Sequence, residues 1–170
     1  MKKITLRNLT QGGVIAALYA ALTLAPALIP GLGFLSFGIF QIRISEALTI
    51  LPIFTGSAVW GLFVGCGLAN LLGLSISGLN MIDVVLGSLA TLIAAYFTRK
   101  LKHNRYLAII PPIIFNAVIV GTYLPFLYFK GTPIAVSIAL VGLGEAVVCY
   151  GLGIPLSFLL DKYRGKVFEK

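Results

Sequence analysis

The chain has little charge for its length. Of its 170 residues only 11% are charged, whereas 59% are hydrophobic, and its mean hydropathy is +1.03. Soluble domains carry about 25% charged residues, and a soluble chain of this size could not bury so much apolar surface in one core. The composition therefore excludes an ordinary soluble domain and indicates a protein embedded in lipid.

Motifs of catalysis and metal binding are also lacking. The sequence contains no phosphate-binding loop, no HExxH, no GxSxG and no Cys/His spacing typical of a metal site. Its two cysteines, Cys66 and Cys149, lie within apolar runs and are expected to be buried as small hydrophobic side chains. We therefore expect no enzyme activity, no cofactor and no metal, and no means of driving transport without a partner.

Positive charge is confined to short stretches. Most of the thirteen Lys and Arg residues fall into three groups: Lys2, Lys3 and Arg7; Arg99, Lys100, Lys102 and Arg105; and Lys162, Arg164, Lys166 and Lys170. These groups flank apolar segments, as cytoplasmic loops do under the positive-inside rule. The net charge of +8 is therefore interpreted as membrane topology and not as nucleic-acid binding.

The apolar runs predict an all-α integral membrane protein with a single domain over residues 1–170. Four runs are predicted to be single spans: Leu9–Ile29, Asp83–Phe97, Leu107–Phe129 and Ile134–Leu160. A fifth run, Ile44–Leu74, would be about 46 Å long as one helix, too long for a hydrocarbon core of about 30 Å. We predict two short helices that turn near Thr55-Gly56-Ser57.

Charge parity leads to the same division. If the N-terminal basic group and Arg99–Arg105 are both cytoplasmic, an even number of crossings must separate them. This condition predicts six transmembrane helices with both termini in the cytoplasm.

The outward connection Pro30–Arg43 contains three phenylalanines, including Phe37 and Phe40. A loop of this length is typical of a lid or binding loop, and the alternative is that its aromatic rings lie among lipid headgroups.

Three acids, Glu46, Asp83 and Glu145, lie at the edge of apolar runs or within them. Because charge in hydrocarbon is costly, an intramembrane acid is a hypothesis of a functional site. In the six-helix topology Glu46 and Asp83 lie near the outer surface, and Glu145 lies about 16 Å along its helix. Further polar side chains share this outer half: Asn70, Asn116, Asn80, Gln41 and Tyr123. The pattern predicts an outward-opening pocket for a cationic or donor-rich solute.

Each of these residues has a structural alternative. Arg43 and Glu46, three positions apart, could form an ion pair at the start of a helix. Asn80 or Asp83 could cap a helix N-terminus. Glu145 could be a protonated carboxyl group hydrogen-bonded within the bundle, and Asn116 could connect two helices.

Small residues recur on the first helix. Ala17, Ala21 and Ala25 fall on one stripe, and Ala16 and Ala20 fall on an adjoining one. Small residues at every fourth position allow close approach of helices in membranes. The stripes predict either packing within the bundle or a docking face for another membrane protein.

Four segments resemble the QueT family: Arg43–Pro52 (RISEALTILP), Gly87–Leu92 (GSLATL), Pro111–Asn116 (PPIIFN) and Val141–Tyr150 (VGLGEAVVCY). Members of this family are substrate-binding S components of energy-coupling factor (ECF) transporters for precursors of the tRNA base queuosine. The resemblance implies a six-helix fold in the cell membrane and an outward pocket covered by the long first loop. It also implies three partners, a transmembrane coupling protein and two cytoplasmic ATPases, with docking through Ala16/Ala20 or Ala17/Ala21.

The implied ligand is a 7-deazaguanine such as preQ1 or queuine. Its ring N–H and exocyclic amine lie side by side and match the two oxygens of one carboxylate. Our hypothesis is that Glu145 binds this edge and that Glu46 or Asp83 meets the ammonium of preQ1. Asn70 and Asn116 would bind the remaining polar edges.

The rest of the implied site surrounds the flat ring. An aromatic side chain would stack on it, and the predicted residues are Phe37, Phe40 and Tyr123. Arg43 and Asn80 complete the set of predicted substrate-binding residues. The competing hypothesis is an autonomous membrane protein, either a small secondary transporter or a membrane-embedded enzyme acting on a cationic or purine-like ligand.

Overall fold

The computed structural model describes residues 5–164 and residue 168, and this part of the chain is helical without any β-strand. The elements in chain order are α1 (Leu6–Ala27), α2 (Gly33–Phe37), a 3₁₀ helix (Ile44–Ile53), α3 (Ser57–Ser77), a π turn (Asp83–Gly87) leading into α4 (Ser88–Lys100), α5 (Arg105–Ala108), α6 (Ile110–Leu127), α7 (Ile134–Val148), a second π turn (Cys149–Gly153) and α8 (Ile154–Asp161).

The predicted all-α class is confirmed. Four segments of the described chain are long and apolar enough to cross a membrane: Leu6–Ala27, Ser57–Ser77, Arg105–Leu127 and Ile134–Asp161. The run Ile44–Leu74 is interrupted where predicted, because the first helix ends at Ile53 and α3 begins at Ser57. The first half of that run is a 3₁₀ helix and not an α-helix. Six crossings and the orientation of the termini stay predictions.

The 3₁₀ helix lies at the centre of the bundle. Every residue from 45 to 53 is buried, and the helix packs against α1, α4 and the second π turn. Because it is enclosed by other helices, it needs no polar face toward solvent, and this accounts for its mostly apolar sequence, in which Ser45, Glu46 and Thr49 are buried as well. Arg99 Nη1 donates hydrogen bonds to the carbonyl oxygens of Pro52 (2.8 Å) and Ile53 (3.3 Å). These contacts satisfy carbonyl groups that the end of the helix leaves free.

The two ends of the bundle differ in what they bury. We call the end that carries residues 28–43 and Lys130 the loop end, and the end that carries Arg99 and Arg105 the basic end. Toward the basic end the interior is an apolar core that includes Leu62, Ile109 and Phe54. Buried polar side chains gather toward the loop end, among them Thr23, Ser36, Gln41, Ser45, Glu46, Asn70, Asp83 and Ser137. Among the described residues, the buried acids therefore lie toward the loop end, whereas the buried polar side chains at the basic end are hydroxyl groups such as those of Thr98 and Ser157.

Helices α1 and α3 pack in direct backbone contact. A Cβ atom added at Gly65 would lie 2.7 Å from the carbonyl oxygen of Ala16 and 2.9 Å from Cβ of Tyr19. Close approach through glycine is typical of helix pairs in membranes. The contact fixes the face of α1 that carries Tyr19 against the centre of the bundle.

Replacing Gly65 by Ala is therefore expected to lower the free energy of unfolding by about 1–3 kcal/mol, because the added methyl group overlaps rigid backbone atoms. Gly67→Ala is the matched control on the same helix, since a Cβ there meets nothing nearer than 3.8 Å. Thermal unfolding in detergent measures both effects. Equal melting temperatures for the two variants would contradict the packing described for α1 and α3.

Candidate functional site

Glu46 lies in the first turn of the 3₁₀ helix and is only 2% exposed. Its Oε1 accepts a hydrogen bond from the hydroxyl of Tyr19 on α1. Its Oε2 is buried and has no hydrogen-bond partner. A buried oxygen of this kind is costly to leave unpaired, so the geometry suits a ligand that brings an N–H or O–H donor.

Glu145 lies on α7 and is equally buried. Its Oε1 accepts a hydrogen bond from Asn116 Nδ2 on α6 at 2.9 Å. The thiol of Cys149 lies 3.9 Å from Glu145 Oε2 and 3.7 Å from the carbonyl oxygen of Glu46. The Glu145 carboxylate and the backbone of Glu46 therefore meet at the same thiol. The sequence predicts both acids in one pocket, whereas this shared contact depends on the packing of two helices that are distant in the chain.

Asn70 supplies a second unpaired acceptor. It lies on α3 with 1% of its surface exposed, and its Nδ2 donates to the carbonyl oxygen of Asp83 at 2.8 Å. Its Oδ1 is buried and has no hydrogen-bond partner. The carbonyl group that holds Asn70 belongs to the first π turn, and π turns inside helices are frequent at functional sites. The second π turn begins at Cys149, beside Glu145.

Asp83 and Asn80 cap the helix that the first π turn opens. Asp83 Oδ2 accepts hydrogen bonds from the backbone N–H of Asn80 at 2.8 Å and from the hydroxyl of Tyr128. Asn80 Oδ1 in turn accepts from the backbone N–H of Ile82 at 3.1 Å. This reciprocal arrangement is a capping box, and it supports the structural alternative for both residues. Their role as ligand contacts stays a prediction.

Tyr128 is a residue that the sequence analysis missed. It lies at the end of α6, and the signal that could have found it is a phenol placed at the loop end of an otherwise apolar helix. Tyr123, about one turn earlier, is half-buried, and its hydroxyl lies 3.8 Å from where a Cβ atom of Gly87, in the first π turn, would be. Both phenols therefore belong to the polar interior at the loop end.

Arg43 ties the long loop to its own helix α2. Its Nε donates to the carbonyl oxygen of Ser36 at 2.6 Å, and its guanidinium lies 5.1 Å from the centre of the Phe37 ring. The hydroxyl of Ser36 donates to the carbonyl oxygen of Thr23 on α1 at 2.7 Å. Arg43 and Glu46 do not form the direct ion pair that their spacing suggested.

The same loop also contacts α7. Gly144 packs against the backbone of Gln41, and a Cβ there would overlap the Gln41 carbonyl oxygen. The loop therefore lies over the turn of α7 that carries Glu145, which supports its interpretation as a lid. Phe34 and Phe40 are exposed, which is compatible with the headgroup alternative, and stacking of Phe40 on a ligand stays a prediction.

The two alanine stripes of α1 face opposite surroundings. Ala16 is 5% exposed and packs against α3, and Ala20 is half-buried. Ala17 and Ala21 are exposed. A partner can therefore reach Ala17 and Ala21 without separating α1 from α3.

Two open grooves flank the N-terminal half of α1. One of about 850 Å³ lies beside α8, and one of about 790 Å³ lies beside α3. Neither is lined by Glu46, Glu145, Asn70 or Asn116. The polar interior of the loop end, and not these grooves, is therefore the candidate site.

The capping box yields a prediction about stability. Asp83→Ala is expected to lower the free energy of unfolding by about 1 kcal/mol, because the N-terminal cap is lost. Tyr128→Phe is expected to lower the free energy of unfolding by about 1 kcal/mol, because one hydrogen bond is lost. Because both variants break the same hydrogen bond, the double variant should cost less than the sum. Thermal unfolding in detergent measures the three values, and strict additivity would contradict the pairing.

Comparisons with known proteins identify the family of this chain. The sequence profile of the QueT transporter family matches residues 9–162. Queuosine precursor transporter QueT of Lactococcus lactis subsp. cremoris (strain MG1363) is 32% identical over 93 residues, which cover 55% of this chain and 50% of that protein. No solved structure matches the chain. Because the profile covers nearly the whole chain and several helices have membrane-spanning length, the protein belongs to the QueT transporter family and is a multi-pass protein of the cell membrane.

Proposed function

We propose that this protein is the substrate-binding component of an ECF-type transporter and that it captures a 7-deazaguanine precursor of queuosine outside the cell. Family membership and the name of the Lactococcus relative support transport of a queuosine precursor. One observation carries the choice of ligand chemistry. Glu46 Oε2 and Asn70 Oδ1 are buried acceptors without partners, and a 7-deazaguanine brings N–H donors on several sides.

Glu145 is the proposed partner of the guanine-like edge. The ring N–H and the exocyclic amine would donate to its two oxygens, as in other bidentate contacts of carboxylates. Asn116 Nδ2 holds Oε1 at 2.9 Å, and that oxygen has a second lone pair for the ligand. The hydrogen bond to Asn116 therefore orients the carboxylate before the ligand arrives, which reduces the cost of binding.

The proposed topology places the loop end outside the cell. Among the Lys and Arg residues that the structure describes, only Arg43 and Lys130 lie at that end, as the positive-inside rule requires for an outer face. The 3₁₀ helix and the segment from Asp83 to Lys100 would form the second and fourth of six crossings. Backbone that is not α-helical is tolerated at membrane depth where protein encloses it, and the 3₁₀ helix is enclosed in this way.

Energy for uptake would come from partners. The sequence has no phosphate-binding loop, so a coupling protein and two cytoplasmic ATPases are proposed to complete the transporter. The exposed residues Ala17 and Ala21 are the proposed docking face on α1, since small side chains allow a partner helix to approach closely. Closure of the loop over the ligand would precede docking.

Calorimetric titration of the detergent-purified chain tests the ligand. We expect preQ1 or queuine to bind more tightly than guanine. Glu145→Gln is expected to weaken binding by about 2 kcal/mol or more, because an amide donor replaces one oxygen of the buried carboxylate that accepts the ligand's N–H groups. Asp161→Asn is the control, since it removes the same charge from an ion pair at the basic end.

Undiminished affinity of Glu145→Gln would remove Glu145 from the site and leave the transport function standing. Absence of binding by all three compounds would contradict the proposed ligand class.

The docking face is tested separately. Ala17→Leu together with Ala21→Leu is expected to abolish uptake and co-purification with the coupling protein while ligand binding persists, because the larger side chains hold the partner helix away. Ala139→Leu is the matched control, since Ala139 is an exposed alanine on α7. Uptake that continues without the ATPases would contradict ECF coupling and favour a secondary transporter.

A further inference from the structure

The interior of the loop end holds more acids than bases. Among the described residues, Glu46, Asp83 and Glu145 are buried there, and Arg43, which is half-buried in the long loop, is the one basic side chain at this end that is not exposed. Arg43 is engaged by the carbonyl oxygen of Ser36 and by the ring of Phe37, and it makes no close ion pair with these acids. Negative charge without a close partner is costly in a buried site, so a cationic ligand is favoured over a neutral one.

Glu46 is the acid whose carboxylate has the fewest partners. Asp83 Oδ2 accepts two hydrogen bonds, and Glu145 has Asn116 at one oxygen and the Cys149 thiol near the other. Glu46 has the Tyr19 hydroxyl at Oε1 and nothing at Oε2.

The hydroxyl groups nearest to Glu46 in the chain lie outside hydrogen-bond distance of its Oε2. Thr49 donates to the carbonyl oxygen of Glu46 at 2.6 Å, and Ser45 accepts from Thr23 at 2.7 Å. These bonds do not reach Oε2. A donor for that oxygen is therefore expected from the ligand.

One ligand can meet both Glu46 and Glu145. The Cys149 thiol lies between the two residues, 3.9 Å from Glu145 Oε2 and 3.7 Å from the backbone carbonyl oxygen of Glu46, and the Glu46 side chain extends from that backbone to the Tyr19 hydroxyl. In a 7-deazaguanine the guanine-like edge and the 7-substituent lie at opposite ends of the fused ring. With the edge at Glu145, the 7-substituent can lie toward Glu46.

We propose that Glu46 selects the ligand by charge, its Oε2 binding an ammonium group on the 7-substituent, so that a cationic 7-aminomethyl compound is bound in preference to a neutral 7-cyano compound. The proposal rests on the proposed function, since it assigns one end of the same ligand. A charged N–H donor to a carboxylate is shorter and roughly twice as strong as a neutral hydrogen bond. A nitrile has no donor to offer and would leave Oε2 unpaired.

The test compares two compounds on the full-length protein in detergent, 7-aminomethyl-7-deazaguanine and 7-cyano-7-deazaguanine. The wild type is expected to bind the aminomethyl compound at least about tenfold more tightly, as for other charge-assisted pairs. Glu46→Gln should bring the ratio of the two dissociation constants close to one, mainly because the aminomethyl compound binds more weakly. Glutamine keeps the acceptor for Tyr19, and Glu46→Asp, which keeps the charge, should retain a preference for the cation. Asp161→Asn controls for net charge and should retain the wild-type ratio.

Equal affinity of the wild type for the two compounds would overturn charge selection and leave the proposed function intact. An unchanged ratio in Glu46→Gln would overturn the role of Glu46. If neither compound binds the wild type, the proposed function fails and the inference fails with it. The wild-type comparison needs no variant, so it decides the proposal even if Glu46→Gln does not fold.

Discussion

The hydrogen bond between Tyr19 and Glu46 connects the outermost long helix to the centre of the protein. Tyr19 is fully buried where α1 meets Gly65 of α3, and its hydroxyl reaches the first turn of the 3₁₀ helix. One turn further along α1, Thr23 bonds both Ser45 and Ser36. These buried hydrogen bonds connect α1, the start of the 3₁₀ helix and the long loop. The positions of the three segments therefore depend on one another.

Burial of acids is concentrated toward one end, and this has a functional consequence. The apolar core lies at the basic end, so under the proposed function a solute would reach Glu46 or Glu145 from the loop end. Hydrogen bonds within the protein satisfy part of this polar interior, while Glu46 Oε2 and Asn70 Oδ1 stay unpaired. Unpaired buried acceptors lower stability, and sites that bind polar ligands commonly retain such groups because the ligand supplies the missing donors.

Irregular backbone lies where the acids lie. The 3₁₀ helix carries Glu46, and the two π turns begin at Asp83 and at Cys149, one turn after Glu145. A 3₁₀ helix of ten residues is unusually long, and its enclosure by other helices compensates for its poorer hydrogen-bond geometry. Departure from α-helical geometry changes the direction of side chains and carbonyl groups. Here the Glu145 carboxylate and the backbone carbonyl oxygen of Glu46, from separate helices, approach the same thiol. Membrane-spanning segments tolerate this only where protein, and not lipid, surrounds the backbone.

The sequence by itself determined the all-α class and the break of the run Ile44–Leu74 near Gly56. It also determined that the polar residues within the apolar segments gather toward the same end of the helices. These features are local, since hydropathy, length and charge distribution suffice to derive them. Tertiary structure alone decided that Tyr19 binds Glu46, that Tyr128 joins the cap at Asp83, and that Ala17 and not Ala16 faces outward. The rotation of each helix about its axis sets these contacts, and that rotation follows from packing against neighbours distant in the chain, which a nearly uniform apolar sequence does not encode locally.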